Sequence, residues 1–402
     1  MKEEDNILKK VGKENVFRVP DGYFENLTSE VMSRLPEKET PAIIKREPTK
    51  WERIKPWVYM TAMFAGAALI IRVASTDRTP VNNRMAMDEP ETEVVSDEKL
   101  RKYQGIFPAF YACYNEDGSV SAARVKRFAE YLLNKGVTGL YVGGSSGECI
   151  YQSVEERKAI LEAVMDAVGG NLVVIAHVAC NNTADSCELA RHAESLGVDA
   201  IAAIPPIYFH LPPYAIADYW NTISAAAPNT DFIIYNIPQL AGVALSTQLL
   251  QEMAKNPRVI GVKNSSMPTQ DIQMWRDATA RELVVFNGPD EQLISGLAIG
   301  ATGGIGGTYA VMPELYLKIY ECYHAGRMEL AREIQNECCR IIYKMCSCHG
   351  NLYAVMKEIL RREGMDVGTV RAPLPNLGAS DMDVVSCAQQ MIEAAVQKYV
   401  KA

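Results

Sequence analysis

"VIGVKNSS" (residues 259–266) sets Val259, Ile260 and Val262 ahead of a lysine and a polar tail. A near-continuous apolar run of this length reads as a strand covered on both faces, the habit of parallel sheets. Lys263 stands where that strand runs out, so an amine is placed at the mouth of an apolar element.

The same unit, an apolar strand, a polar or glycine-bearing end and then a helix, recurs on both sides. The strands are "GIFPAFYA" (105–112), "GLYVGG" (139–144), "LVVIAHVA" (172–179), "AIAAIPP" (200–206), "DFIIYNIP" (231–238), "LVVFNGP" (283–289) and "GATGGIGG" (300–307). Successive starts leave room for one helix each. Ser153 and Glu156 form an S-x-x-E capping box before "RKAILEAVMDAV", and Ser246 precedes "TQLLQEMAKN". Eight such units predict an α/β fold, a (β/α)8 TIM barrel over 99–312. After residue 313 the chain reads as helices only, a C-terminal extension (313–402). The competing architecture, a doubly wound sheet, has fewer strands and usually a glycine-rich dinucleotide fingerprint; none follows the first strand.

The whole chain has 402 residues, 48% of them hydrophobic and 22% charged, with a net charge of -8. That charge excludes nucleic acid as the expected partner, since no basic field would draw phosphates. Ten cysteines in a chain this long fit free thiols in a reducing compartment better than a disulfide scaffold.

Composition changes near residue 98. Residues 1–56 are a polar and amphipathic segment that includes "FRVPDGYFENLTSEVMSRLPE" (17–37), to which no chemistry is assigned. Trp57 to Ile71 is uncharged and would span roughly 22 Å as a helix. With Arg72 snorkelling and the run extended to Ala74, 57–74 is expected to be a transmembrane helix and a membrane tether; a buried or interfacial helix is the alternative. Residues 75–98 read as a linker. Lys45, Arg46, Lys50, Arg53 and Lys55 precede the run, and Arg72, Arg78 and Arg84 follow it, which favours the N-terminal side inside. The free thiols point the other way, to a cytoplasmic catalytic domain, and that is the location expected here.

In a barrel of this kind functional groups collect at the C-terminal strand ends. Four ends are chemically loaded: "GGSSGE" (143–148), "YNIP" with Tyr235, Lys263, and "NGPDE" with Asp290 and Glu291. A lysine desolvated there has a lowered pKa and can offer a neutral amine to a carbonyl. Taken alone, Lys263 would more often be a snorkelling or ion-paired lysine. A tyrosine one unit earlier, able to move a proton, and a Gly-Ser-Ser turn offering hydroxyls and N–H groups to a carboxylate shift the balance.

"GGSSGE", "YNIP", "GVKNSS" and "GPDEQLISGLAIGATGGIGGTY" together resemble, in order and spacing, the N-acetylneuraminate lyase and dihydrodipicolinate synthase superfamily of Schiff-base aldolases. The resemblance covers about residues 100–402 and leaves 1–98 outside. It implies that Lys263 forms a Schiff base with the C2 carbonyl of a 2-oxo acid, that Tyr235 is the proton shuttle, and that Ser145 and Ser146 hold the carboxylate. Both serines would also help relay the proton. It implies no metal and no cofactor, because the iminium serves as electron sink. Barrels of this superfamily are usually tetramers, so a homotetramer is expected.

The loop "YNIPQLAGV" (235–243) carries Gln239, Leu240 and Ala241 where the synthase branch has an arginine, and so looks like the lyase branch. The lyase pattern implies that Ser265, Gly288, Asp290 and Glu291 contact a sugar tail, carboxylates being strong acceptors for polyol hydroxyls. Gly307, in "GIGGTY", takes the place of a serine in that pattern, so a tail-binding hydroxyl is missing there. Tyr208, in "PPIYFHLP", occupies a position where the superfamily often has a tyrosine near the proton relay.

Other residues have plainer readings. Cys338, Cys339, Cys346, Cys348 and His349 match no familiar zinc spacing, and the cysteines read as buried structural residues. His177 is either a substrate contact or a hydrogen-bonded core histidine. Trp220 and Trp275 are read as packing, and "GGIGG" as a close backbone approach at the barrel mouth.

The function expected is a class I aldolase cleaving N-acetylneuraminate to pyruvate and N-acetylmannosamine. The alternatives are another pyruvate-dependent aldolase or synthase on the same barrel, and a membrane-tethered barrel that senses a 2-oxo acid without turning it over.

Overall fold

The computed structural model describes residues 97–401; the segments 1–56 and 57–74 and all but the last two residues of 75–98 lie outside the described residues. Eight parallel strands appear where the apolar runs predict them: β1 (Gly105–Pro108), β2 (Gly139–Val142), β3 (Val173–His177), β4 (Ala200–Ala203), β5 (Asp231–Asn236), β6 (Val259–Asn264), β7 (Val284–Asn287) and β8 (Gly303–Gly306). Each strand pairs with its sequence neighbour from β2 through β8, and β8 pairs with β1. A bridge between Ala109 and Tyr141, with Phe110 N–H donating to Tyr141 C=O at 2.9 Å, brings β1 to β2 and closes the ring. The fold is a (β/α)8 barrel.

The helices of the barrel are α1 (Ala122–Asn134), α2 (Val154–Val168), α3 (Thr183–Ser195), α4 (Pro213–Ala226), α5 (Thr247–Met253), α6 (Gln270–Asp277) and α7 (Leu293–Ala298), followed by α8 (Pro313–His324), which packs on β1. The extension adds α9 (Met328–Met345), α10 (Leu352–Arg362) and α11 (Met382–Tyr399). The expected caps are present: Glu156 N–H donates to Ser153 Oγ while Ser153 N–H donates to the Glu156 carboxylate, and Leu249 N–H donates to Ser246 Oγ.

Alternation along the strands divides the apolar residues into two cores. Outward side chains such as Val174, Ile234 and Val262 pack under the helices. Inward ones, among them Phe107, Tyr141, Ile175, Ile233, Tyr235 and Phe286, fill the barrel. Its lower end is plugged by Leu100 and Tyr103, whose hydroxyl donates to Asp199 C=O at 2.8 Å. The interior is therefore solid below, and only the C-terminal mouth is left for chemistry. At β8 a Cβ on Gly303 would lie 2.0 Å from Gly105 O, so the close backbone approach occurs where β8 and β1 begin, at the lower end of the barrel and not at the mouth where the sequence reading places it.

One irregularity decides where Lys263 points. Phe232 pairs with Val259, but Ile233 pairs with Gly261, so β6 carries Ile260 as an extra residue. A bulge of this kind reverses the alternation beyond it. Without it, Lys263 would face the helices; with it, Lys263 lies opposite Tyr235 and faces the barrel.

Candidate active site

Lys263 is 4% exposed. Its Nζ lies 4.0 Å from the ring centroid of Tyr235 and 4.0 Å from that of Tyr141. Tyr141, on β2, was not singled out in the sequence because its strand shows only apolar character. No carboxylate pairs with the amine among the described residues. Desolvation by burial lowers its pKa to about 7, against a weaker upward pull from Asp290. Such an amine is substantially neutral near pH 7 and able to act as a nucleophile.

Tyr235 is pushed up to about 12, chiefly by burial, while hydrogen bonds to Ser145 and Ser265 pull the other way. Its ring meets Tyr141 edge-on at 5.5 Å and His177 at 5.8 Å. His177 is buried and held neutral, its pKa driven well below the usual range by burial and then by the Arg157 charge. Its Nδ1 faces Gly143 C=O at 2.8 Å, and its Nε2 accepts a long contact from Ile204 N–H at 3.4 Å. Both ring nitrogens are thus occupied by backbone, which makes His177 a wall of the cage around Lys263.

Asp290, after β7, accepts from Thr308 N–H and from Thr308 Oγ1, both at 2.6 Å. Burial raises its pKa to about 6, with the Thr308 bonds opposing. Gly288 is confined: a Cβ there would sit 2.1 Å from Ser265 Oγ and 2.7 Å from Asn264 O. A Cβ on Gly307 meets nothing nearer than Ser146 Oγ, at 3.2 Å, with Asp290 Oδ2 and Tyr353 Cε1 each 3.9 Å away. Ser145, Ser146, Tyr235, Lys263, Ser265, Gly288, Asp290 and Gly307 therefore line one mouth. Glu291 follows Asp290 in the same short helical turn. Its backbone C=O accepts a contact from Cys339 Sγ.

Tyr208 is the exception. It is 86% exposed, with a positive φ of 85°, and stacks edge-on with Phe209, outside the cage around Lys263. Its expected place beside the proton relay is not taken up within its own chain.

Two contributions from the extension were missed in the sequence. Tyr353, on α10, faces Ser146, and Lys357, one turn on, pairs with the buried Glu148 carboxylate at 2.6 Å. Contacts across some two hundred residues leave no local signal. Behind the site, Asn264 Oδ1 accepts from Asn236 Nδ2 at 2.8 Å and from Trp275 Nε1 at 2.9 Å, fastening the ends of β5 and β6 together. Trp275, read as packing, thus also has a hydrogen-bonding task. The ten cysteines are free, and no group of three or more metal-ligating side chains occurs among the described residues; of the cluster expected to be buried, Cys338 is, while Cys339 and Cys348 are half-buried and Cys346 is exposed. No helix among them is long and apolar enough to cross a membrane.

Comparison with known proteins agrees with this geometry. The model of the dihydrodipicolinate synthetase family matches residues 102–391. An N-acetylneuraminate lyase of Mediterraneibacter gnavus is 66% identical over 302 residues, which are 75% of this chain and 96% of that one. The solved wild-type sialic acid aldolase of Ruminococcus gnavus is 66% identical, with a TM-score of 0.74 over 74% of this chain and 100% of the other. The N-acetylneuraminate lyase of Proteus mirabilis is 30% identical, with a TM-score of 0.68 over 74% of this chain and 99% of that one. The chain belongs to the dihydrodipicolinate synthetase family, within its N-acetylneuraminate lyase branch.

Proposed function

We propose that the protein is a class I aldolase that cleaves N-acetylneuraminate to pyruvate and N-acetylmannosamine, with Lys263 as the Schiff-base residue. The observation that carries this reading is the Lys263 amine, buried between the Tyr141 and Tyr235 rings with no carboxylate in ion-pair contact among the described residues. The other deeply buried lysine among the described residues, Lys357, is tied to Glu148 and cannot serve. A solved variant of the Ruminococcus gnavus sialic acid aldolase is named as a catalytic lysine mutant, which fits an amine-based mechanism.

In the cleavage direction the neutral amine adds to the C2 carbonyl of the open-chain sugar acid. The carbinolamine loses water and leaves a protonated imine. Tyr235 takes the C4 hydroxyl proton while passing its own to Ser145, whose own hydroxyl proton moves on to the 2-oxo acid's carboxylate and returns along the same relay to protonate C3. The C3–C4 bond breaks, the aldehyde departs and its electron pair flows to the imine nitrogen as an enamine. Protonation at C3 and addition of water then release pyruvate and restore the amine. Ser145 and Ser146 hold the 2-oxo acid's carboxylate, and Ser265, Gly288, Asp290 and Glu291 receive the polyol tail. Tyr208, exposed beside Phe209, supports a further reading, a homotetramer whose contacts cover these apolar side chains and the exposed Leu240.

Borohydride added with pyruvate is expected to fix a covalent adduct on Lys263, located by peptide mass spectrometry. Purified protein is expected to form pyruvate from N-acetylneuraminate, and Lys263→Ala to lose both activities. An adduct at another lysine, or full turnover by Lys263→Ala, would refute the assignment.

A further inference from the structure

The turn that carries Ser145 and Ser146 is held from outside the barrel. It is closed by Gly147 N–H donating to Gly144 C=O at 3.1 Å and Glu148 N–H donating to Ser145 C=O at 3.0 Å. Glu148 then takes a left-handed backbone with φ 54°, a conformation unusual for a residue with a side chain. Something must impose that geometry, and the Glu148 side chain shows what does. Its carboxylate, 1% exposed as a residue, accepts from Lys357 Nζ at 2.6 Å and from Arg371 N–H at 2.8 Å. Lys357 Nζ also donates to Thr369 C=O at 2.8 Å. Arg371 reaches on to Glu156 at the start of α2 and to Tyr151 C=O. Four residues before Lys357, on the same face of α10, Tyr353 faces Ser146 across Gly307, where a Cβ would meet Ser146 Oγ at 3.2 Å and Tyr353 Cε1 at 3.9 Å, and Ser146 lowers the Tyr353 hydroxyl's pKa against the effect of burial.

We propose that α10 of the C-terminal extension is a clamp on the carboxylate-binding turn, gripping it at Ser146 through Tyr353 and at Glu148 through Lys357. Tyr353, Lys357 and Glu148 are positioning residues: they act through the two serines. A buried ion pair of this kind is a poor source of stability but a strict source of geometry, since neither charge can move without losing its partner. The extension is then part of the active site. Its purpose is to hold the hydroxyls where the 2-oxo acid's carboxylate must sit, and it should bear on the pyruvate half of the substrate and leave the sugar half alone.

This inference rests on the aldolase reading, and its test separates the two. Borohydride trapping is run on the full chain against increasing pyruvate for wild type, Glu148→Gln and Tyr353→Phe. The half-saturating pyruvate concentration is expected to rise about tenfold in Glu148→Gln, the scale of a small misplacement at a reacting centre, and severalfold in Tyr353→Phe. Inhibition of cleavage by N-acetylmannosamine is expected to stay as in wild type. Amide hydrogen exchange over 144–148 should quicken in both variants. Should Glu148→Gln fail to fold, Tyr353→Phe, which removes one hydroxyl, decides alone. Unchanged pyruvate half-saturation, or equal weakening toward pyruvate and N-acetylmannosamine, would overturn the clamp. A wild-type chain that traps no pyruvate would instead sink the aldolase reading. Hydrogen exchange would then judge the clamp by itself, and unchanged exchange in the variants would overturn it.

Discussion

The amine of Lys263 sits near the midpoint between its two charge states at neutral pH, and two measurable consequences follow. Its pKa falls from the ordinary 10.5 to about 7 through burial. Only the deprotonated form attacks a carbonyl, so kcat/KM for cleavage should climb as pH rises through about 7; a profile flat across that range would contradict the assignment. Stability should show the same group with a fixed sign. Between pH 7 and 10.5 the unfolded chain keeps the proton that the folded chain has lost, so stability rises with pH across that window, and the full penalty applies below it. Lys263→Met removes that penalty. Its Tm should exceed that of wild type at acid pH, with the gap closing toward alkaline pH, while pyruvate trapping is abolished.

Two glycines at the mouth separate steric need from open space. A Cβ at Gly288 would press into Ser265 Oγ and the Asn264 backbone, whereas one at Gly307 has ordinary clearance except for a tight approach to Ser146. Gly288→Ala should lose about 1–3 kcal/mol of stability and most of its activity, because the obstruction is partly backbone and displaces Ser265 from Tyr235. Gly307→Ala should keep its Tm within a degree or two of wild type and retain turnover, with its effect confined to KM for the sugar acid. Thermal melts and steady-state kinetics on the two variants check this contrast.

At the scale of elements, the bulge in β6 turns an apolar strand into a catalytic one. Gly261 follows the extra residue Ile260, and a Cβ there would lie 2.0 Å from Val284 O on the neighbouring strand. Gly261→Ala should therefore force β6 from β7, costing about 1–3 kcal/mol by thermal denaturation, and should depress kcat by shifting Lys263 two residues away. Normal kcat in a destabilised variant would show that the bulge does not aim the lysine. The eight strands were legible because burial on both faces leaves long apolar runs, and Lys263, Tyr235 and the serine pair were legible because polar residues end those runs. The inward aim of Lys263 was not legible, since a bulge arises from pairing between strands and leaves no mark on one strand's pattern. Nor were Tyr141, Tyr353 and Lys357: each reads locally as core or helix surface and gains its role from a partner far along the chain. Tyr208 shows the limit of position alone: its place in sequence, beside a strand end, does not fix which way the following loop turns, and in its own chain it faces outward.

For the whole molecule, the division of labour lies between residues 1–96 and the barrel with its extension. The family match begins at residue 102, and the Ruminococcus gnavus aldolase is covered over its full length by 74% of this chain. Every group placed at the mouth lies beyond residue 140, and the lower plug that seals the barrel begins with Leu100. A 97–402 fragment should then keep both plug and site, and its kcat/KM for N-acetylneuraminate should lie within about twofold of the full chain. Starting instead at 105 would remove Leu100 and Tyr103, two fully packed side chains, and should cost about 4–8 kcal/mol, enough to unfold many domains. Membrane partition tests the other half of the division. If 57–74 is the tether its composition suggests, the full chain should sediment with vesicles in the absence of detergent and the 97–402 fragment should not. Equal partition of the two would remove any anchoring role from the N-terminal segment, while a loss of turnover in the shorter chain would make that segment part of the enzyme.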